Sequence, residues 1–176
     1  MTEDRLAHSC KVARVIYVLA KMAGMSTEDC CKAFALGLNH DIGYACPKTN
    51  SLNHQEVGAK ILSKGWGYTD LAYLVGMHGR PDTRYDHIPN GVLLFLLDIA
   101  DNSVTGKGEL ASYPERIEDI RKRCPPEAIE YTERVHENMR TYIKLYVQDM
   151  AIGNIWAAFD NGTLKSILER ELSENK

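Results

Sequence analysis

Apolar residues recur every three or four positions along most of this chain, and the strict alternation that marks a β-strand is scarce. The first helix is predicted over about residues 2–23. Its apolar stripe includes Val12 and Leu19, and His8 lies on the same stripe, one turn before Val12. The pattern as a whole predicts an all-α fold.

Glycine, proline and helix-capping residues divide the rest of the chain into further helices. They are predicted over about residues 26–41, 54–63, 69–77, 91–104 and 127–150, with a short helix from Ser112 and one or two short helices after residue 150. The polar segment 80–90 contains two prolines and is predicted to be a loop at a functional site. Residues 44–50 are also predicted to form a loop.

The pair Pro125-Pro126 marks the best internal boundary in the sequence. The predicted organisation is a core domain over residues 1–124 and a C-terminal helical extension over residues 125–176 that packs on it. Three aromatic residues of the extension are expected to pack on the core, with a homodimer contact as the alternative; they are Tyr142, Tyr146 and Trp156. A chain of 176 residues with 44% hydrophobic content can bury one such core.

The net charge of the chain is −3, whereas a general nucleic-acid binder usually carries an excess of basic residues. A nucleic-acid polymer is therefore not expected as a partner, but a small phosphorylated substrate needs only a few local cations. No stretch approaches the roughly 18–20 consecutive apolar residues of a membrane span, and the N-terminus lacks a signal peptide's apolar segment. These features predict a cytoplasmic protein without a membrane partner.

Six histidine and aspartate residues occupy helix ends or inward helix faces, which can converge in a helical bundle. They are His8, His40, Asp41, His54, His78 and Asp101. Any one alone has an ordinary explanation, because a single histidine on an apolar face is more often a hydrogen-bonded core residue than a ligand. Imidazole and carboxylate together suit Fe, Mn, Co, Ni or Zn, and a set without thiolate is typical of catalytic sites. The set predicts a centre for one or two divalent metal ions.

The most apolar predicted helix contains two aspartates, and the helical period indicates which of them faces the site. Leu93, Leu97 and Val104 define the inward stripe of that helix. Asp101 lies within about 40° of the centre of the stripe, whereas Asp98 lies about 100° away from it. Asp101 is therefore predicted to face the site, and Asp98 is predicted to form a salt bridge or to face solvent.

The order of these residues resembles the HD-domain superfamily of metal-dependent phosphohydrolases. The motifs that carry the resemblance are His8-x-x-x-Val12-Ala13, His40-Asp41-Ile42-Gly43, His54-Gln55-Glu56-Val57-Gly58-Ala59 and Ile99-Ala100-Asp101. The resemblance covers about residues 5–123 and implies an HD-type helical bundle. Near its end, Pro114-Glu115-Arg116-Ile117 is similar to an uncharacterised HD branch that continues past its last aspartate into a short E-R-I-type helix.

The resemblance also implies roles for the site residues. His8, His40, Asp41 and Asp101 would hold one metal ion, with Asp41 bridging. His54 and His78 would hold a second ion or contact the substrate phosphate. Asp41 and His40 are expected to be catalytic, and the implied reaction is hydrolysis of a nucleotide or another small phosphoester by a metal-activated water.

The resemblance to the HD superfamily does not identify the substrate. The segments around His54 and His78 are similar to the bacterial HD hydrolases of dinucleoside tetraphosphates, but the loop after His78 departs from that group. The doubled histidine of the cyclic-di-GMP phosphodiesterases is missing. Lys48, Arg80 and Arg84 lie in loops next to candidate ligands and are predicted to bind the phosphate, with a solvated surface charge as the alternative for each.

The sequence leaves two other hypotheses about the function open. Some HD proteins resemble this six-ligand pattern but are di-iron oxygenases, and the ligands alone cannot separate the two reaction classes. The other hypothesis is a non-catalytic regulatory HD module, although such a protein would be expected to have lost metal ligands. His87 and His136 are placed outside the site, and the pattern gives His136 no partner.

Overall fold

The structure is a computed structural model that describes residues 1–46 and 53–174. In these two ranges the chain is helical, and its only β-type pairing is an isolated bridge between Val104 and Leu110. The helices are α1 Glu3–Met22, α2 Thr27–Asn39, α3 His54–Lys60, α4 Thr69–Met77, α5 Gly91–Asn102, α6 Tyr113–Arg123, α7 Pro126–Tyr146, α8 Met150–Asp160 and α9 Leu164–Glu174. The prediction of an all-α fold is confirmed.

Helix starts follow the local chemistry of the sequence. The Thr2 hydroxyl accepts a hydrogen bond from the backbone N–H of Arg5 and caps α1. Ser26 caps α2 in the same way by accepting from the backbone N–H of Asp29. Ser112 and Glu115 form a reciprocal capping box at the start of α6.

Two predicted helix boundaries were wrong. The helix predicted over residues 127–150 ends at Tyr146, and α8 starts at Met150 because the Asp149 carboxylate accepts hydrogen bonds from the first backbone N–H groups of the new helix. The helix predicted over residues 54–63 changes at Ile61 into a π-helical turn that runs to Gly65. Most of the loop predicted over residues 44–50 lies outside the described residues.

The centre of the molecule is α5, which is buried along nearly its whole length. A helix that is apolar all round belongs inside a core rather than on its surface. α5 packs against α1 and α2, and its Leu94 and Phe95 are fully buried. For the same reason Asp98 does not face solvent as the stripe geometry suggested, because the side of α5 that carries it is also covered.

The C-terminal helices share this core. The rings of Tyr142 on α7 and Trp156 on α8 lie 5.2 and 5.9 Å from the ring of Phe95. Leu168 of α9 is fully buried, and α9 packs against α1. Tyr146 is about half exposed at the end of α7. Within the described ranges no helix is both long and apolar enough to cross a bilayer.

Candidate metal centre

α1, α5 and the end of α2 bring four of the predicted ligands together. The Nε2 atom of His8 lies 3.0 Å from Oδ1 of Asp101 and 3.8 Å from Oδ2 of Asp41. The Nε2 atom of His40 lies 3.4 Å from Oδ2 of Asp41 and 3.9 Å from Oδ1 of Asp101. We call these four residues the Asp101 half of the site.

α3 and α4 bring the other two predicted ligands to the opposite oxygen of Asp41. The Nε2 atom of His54 lies 3.5 Å from Oδ1 of Asp41 and 3.2 Å from Nε2 of His78. We call Asp41, His54 and His78 the His54 half. Asp41 is thus shared, with Oδ2 towards one half and Oδ1 towards the other.

Backbone carbonyl groups of the described residues orient the rings of His8, His40 and His78. Each Nδ1 lies within hydrogen-bond distance of a carbonyl oxygen: His8 of Thr105 (3.0 Å), His40 of Gly37 (2.7 Å) and His78 of Val75 (2.6 Å). A carbonyl oxygen can only accept, so each Nδ1 carries the hydrogen. Each Nε2 is then directed into the site, in the arrangement that metal-binding histidines show in proteins.

The charge state of the site favours a bound cation. Nε2 of His8 and Nε2 of His40 are buried and face the carboxylates of Asp101 and Asp41, with no hydrogen to donate to them unless the ring is protonated. Buried nitrogen atoms of this kind need a proton or a metal ion. His8, His40 and Asp41 offer three ligand atoms within 4.8 Å of one another, and Asp41, His54 and His78 offer a second such set. The residues present therefore fit one metal ion or two.

The electrostatics keep the carboxylates ionised. Burial alone raises the pKa of Asp41, but the charges of His40, Arg5 and His8 outweigh it and hold that pKa well below its usual range. The pKa of Asp101 is likewise lowered, since its contact with His8 and the charge of Arg116 outweigh burial. These carboxylates are the form that a metal ion requires.

Burial, with a smaller contribution from His40, lowers the pKa of His78. The side chain of His78 therefore remains neutral at neutral pH, and its Nε2 lone pair is available to a cation. Protonation of this ring in acid would remove a ligand of the His54 half.

The glycine of the H-D-I-G motif allows the two halves to meet. A Cβ atom added at Gly43 would collide with the backbone carbonyl of His54. Only glycine lets the turn after Asp41 approach the start of α3 so closely. This contact places His54 beside Asp41, although the two residues belong to different helical segments.

Two arginines at the site were missed by the sequence reasoning. Nη1 of Arg5 lies 2.7 Å from Oδ2 of Asp41, and the guanidinium group lies 4.3 Å above the ring of Tyr44. Nη2 of Arg116 lies 3.3 Å from Oδ1 of Asp101. Arg5 could have been found, because it precedes His8 by three residues and shares its helix face. Nothing in the sequence brings Arg116 to Asp101.

Asp98 is the third residue that was missed. Its side chain accepts hydrogen bonds from the backbone N–H of Gly79 (2.8 Å) and the hydroxyl of Tyr85 (2.6 Å). Gly79 has a φ of +61°, so Asp98 anchors a left-handed turn directly after His78. Burial raises the pKa of Asp98 to about 6. The prediction of a salt bridge or a solvent-facing carboxylate for Asp98 was wrong because the 78–87 segment covers it.

Within the described residues, Arg80 and Arg84 pair with acidic residues other than the candidate metal ligands. Arg80 is about one-third exposed and lies 3.8 Å from Glu56, and the exposed Arg84 pairs with Asp86 at 3.0 Å. Lys48 lies outside the described residues.

The two histidines placed outside the site both have partners elsewhere. The exposed His87 lies 3.2 Å from Asp86. His136 stacks on Tyr113 with ring centres 4.1 Å apart and lies 3.2 Å from Asp160, a pairing that the sequence pattern did not show.

In the comparison with protein families, the model of the HD domain aligns with residues 5–106 of the chain. This range extends over more than half of the chain and contains all six candidate metal ligands. The comparison with curated proteins and the comparison with solved structures gave no match.

Proposed function

The chain belongs to the HD-domain family, and we propose that it is a metal-dependent phosphohydrolase that cleaves a nucleotide or another small phosphoester. The observation that carries this proposal is the shared position of Asp41 between two sets of three possible ligand atoms. Such a set of imidazoles and carboxylates suits divalent Fe, Mn, Co, Ni or Zn.

Each half of the site has its own role in this proposal. His8, His40, Asp41 and Asp101 hold one ion, and His54 and His78 hold a second ion together with Asp41 or contact the substrate phosphate. When bound, divalent ions at such a site lower the pKa of water and neutralise charge on a phosphoryl group. Burial of His8, His40 and Asp41 excludes bulk water from the centre, which strengthens the electrostatic interactions there.

The cations at the rim of the site are proposed to receive the phosphate. Arg80, Arg84 and Lys48 remain the candidates from the sequence, and the structure adds Arg5. The side chain of Arg5 is about a quarter exposed, while its guanidinium group touches the shared carboxylate of Asp41. A planar guanidinium group can bind two phosphate oxygens at once. An Arg5 side chain released from Asp41 by a bound metal ion would be free to do so.

The decisive experiment is a phosphate-release assay with nucleotides, dinucleoside polyphosphates and small phosphoesters, each with added Mn²⁺, Co²⁺, Ni²⁺ or Fe²⁺. Release that depends on added metal is expected for the wild type and not for Asp41→Ala. Asp70→Ala, which removes an exposed carboxylate from the first turn of α4, is the matched control and should retain activity.

Other results of these assays distinguish the two alternative functions. Two iron ions per chain together with oxygen consumption and no phosphate release would show a di-iron oxygenase. A folded wild-type chain that binds no divalent metal would contradict the metal site and would leave a regulatory HD module.

A further inference from the structure

Asp101 differs from the other ligands of its half in exposure. The side chains of His8, His40 and Asp41 are at most 4% exposed, whereas that of Asp101 is 22% exposed. A carboxylate with access to water can rotate away from the site unless another group holds it. The group that holds Asp101 is Arg116 of α6, whose Nη2 lies 3.3 Å from Oδ1 of Asp101.

Arg116 is itself fixed from its other side. Its side chain is 9% exposed, and Nη1 lies 3.1 Å from Oδ2 of Asp119, one turn further along α6. Asp119 in turn accepts a hydrogen bond from Nε of Arg123 (2.9 Å). A buried guanidinium is unfavourable without such partners, so the two carboxylates account for the position of Arg116 between them.

The same network reaches His8 through the segment that follows α5. The Asp119 carboxylate accepts a hydrogen bond from the backbone N–H of Gly106 (2.9 Å). The neighbouring carbonyl of Thr105 is the acceptor for Nδ1 of His8. A Cβ atom at Gly106 would collide with the guanidinium of Arg123, so this segment is packed closely against α6. α6 therefore supports both Asp101 and His8.

We propose that Arg116 is a positioning residue of the metal centre, which orients Asp101 directly and, with Asp119, fixes the segment that orients His8. α6 begins at Tyr113, beyond the end of the HD-domain match at residue 106. Arg116 therefore lies outside the matched range, and the proposal gives the E-R-I stretch a role. The inference rests on the metal site of the proposed function but not on the reaction.

The test is calorimetric titration of the full chain with Co²⁺, together with the visible absorption spectrum of bound Co²⁺, which reports the ligand geometry. Arg116→Met is expected to weaken Co²⁺ binding about 10- to 100-fold, as is typical when a group that orients a metal ligand is lost. The Co²⁺ spectrum should change as well. Arg121→Met is the matched control, because Arg121 lies on α6 but is exposed and pairs with Glu118.

Arg116→Lys separates position from charge. A lysine keeps the charge, but one ammonium group cannot bridge two carboxylates as a planar guanidinium does. Binding should therefore stay weak, and full recovery with the wild-type spectrum would overturn the positioning role. Wild-type affinity and spectrum in a folded Arg116→Met protein would also overturn it.

Asp119→Asn decides the matter if circular dichroism shows that Arg116→Met does not fold. This variant keeps the size of the side chain and removes the charge that holds Arg116, so weaker Co²⁺ binding is expected and unchanged binding would contradict the proposal. A wild-type chain that binds no Co²⁺ would overturn both this inference and the proposed function. Binding without phosphate release would contradict the phosphohydrolase alone.

Discussion

The two halves of the site share Asp41 but are built differently. The Asp101 half lies on long helices of the core, where α1, α2 and α5 pack together, and the side chains of Arg5 and Arg116 hold its two carboxylates. The His54 half lies on the short helices α3 and α4, and backbone contacts hold it: Gly43 against His54, and Asp98 on the turn after His78.

Because of this difference, we expect the two halves to respond differently to amino-acid substitutions. A ligand on a long core helix keeps its place through many apolar contacts, so its weak point is the orientation of the carboxylate. A ligand on a short helix depends on a few close backbone contacts, so its weak point is packing. We therefore expect substitutions of the support residues to affect one half at a time.

The largest effect is expected from the ligands themselves. In the two-ion form of the proposed site, Asp41→Asn should abolish binding of both ions, because the shared carboxylate loses its charge. His54→Ala should lose one ion and retain the other, and His8→Ala should show the reverse preference. Metal content per chain after gel filtration measures this directly. If His54→Ala and Asp41→Asn lost metal equally, the two halves would act as a single unit.

Gly43→Ala should damage the His54 half through packing. The added methyl group collides with the His54 carbonyl, and overpacking of this kind costs about 1–3 kcal/mol. Urea unfolding should show this loss, and metal analysis should show that the ion of the Asp101 half is retained. Gly153→Ala on α8 is the matched control, since a Cβ atom there meets nothing within 4 Å. A Gly43→Ala protein as stable as the wild type would contradict the close approach.

Asp98→Asn should weaken the turn after His78. The amide that replaces the carboxylate can satisfy only one of the two donors, Gly79 N–H and Tyr85 O–H, and an unsatisfied buried donor costs about 1–3 kcal/mol. Metal analysis at neutral pH is the measurement, and the ion of the His54 half should bind more weakly while the ion of the Asp101 half is retained.

The same variant has a pH signature. Asp98 has a pKa raised to about 6, so between pH 4 and pH 6 the folded state binds more protons than the unfolded state. The contribution of Asp98 to the free energy of unfolding is therefore largest in acid and falls as the pH rises through this window, by about 3 kcal/mol. The difference in stability between the wild type and Asp98→Asn should change with pH accordingly. A constant difference from pH 4 to pH 7 would contradict the raised pKa.

The sequence revealed the ligands more readily than their supports. The apolar period placed His8 and Asp101 on inward helix faces, and the resemblance to the HD superfamily grouped them with His40, which stands at a helix end. The apolar stripe did not identify Asp98 as a buried residue. A single stripe defines the inward side only of a helix at the surface, whereas α5 is buried on nearly all sides. Arg116 could not be placed, since its contact with Asp101 depends on how α6 folds back.

Tyr44 offers the smallest and most specific test, because it touches both halves. Its ring stacks on His54 with centres 4.6 Å apart, and the guanidinium of Arg5, which pairs with Asp41, lies 4.3 Å from the centre of the same ring. Burial raises the pKa of Tyr44 to about 12, so the ring acts as a neutral surface. Tyr44→Leu removes contacts of about 0.5–1.5 kcal/mol, which corresponds to a loss of metal affinity in the His54 half of about tenfold at most. Tyr44→Phe keeps the ring and should bind metal as the wild type does. If Tyr44→Leu weakened both ions equally, Arg5 and His54 would be coupled through this ring, and the two halves would not be independent.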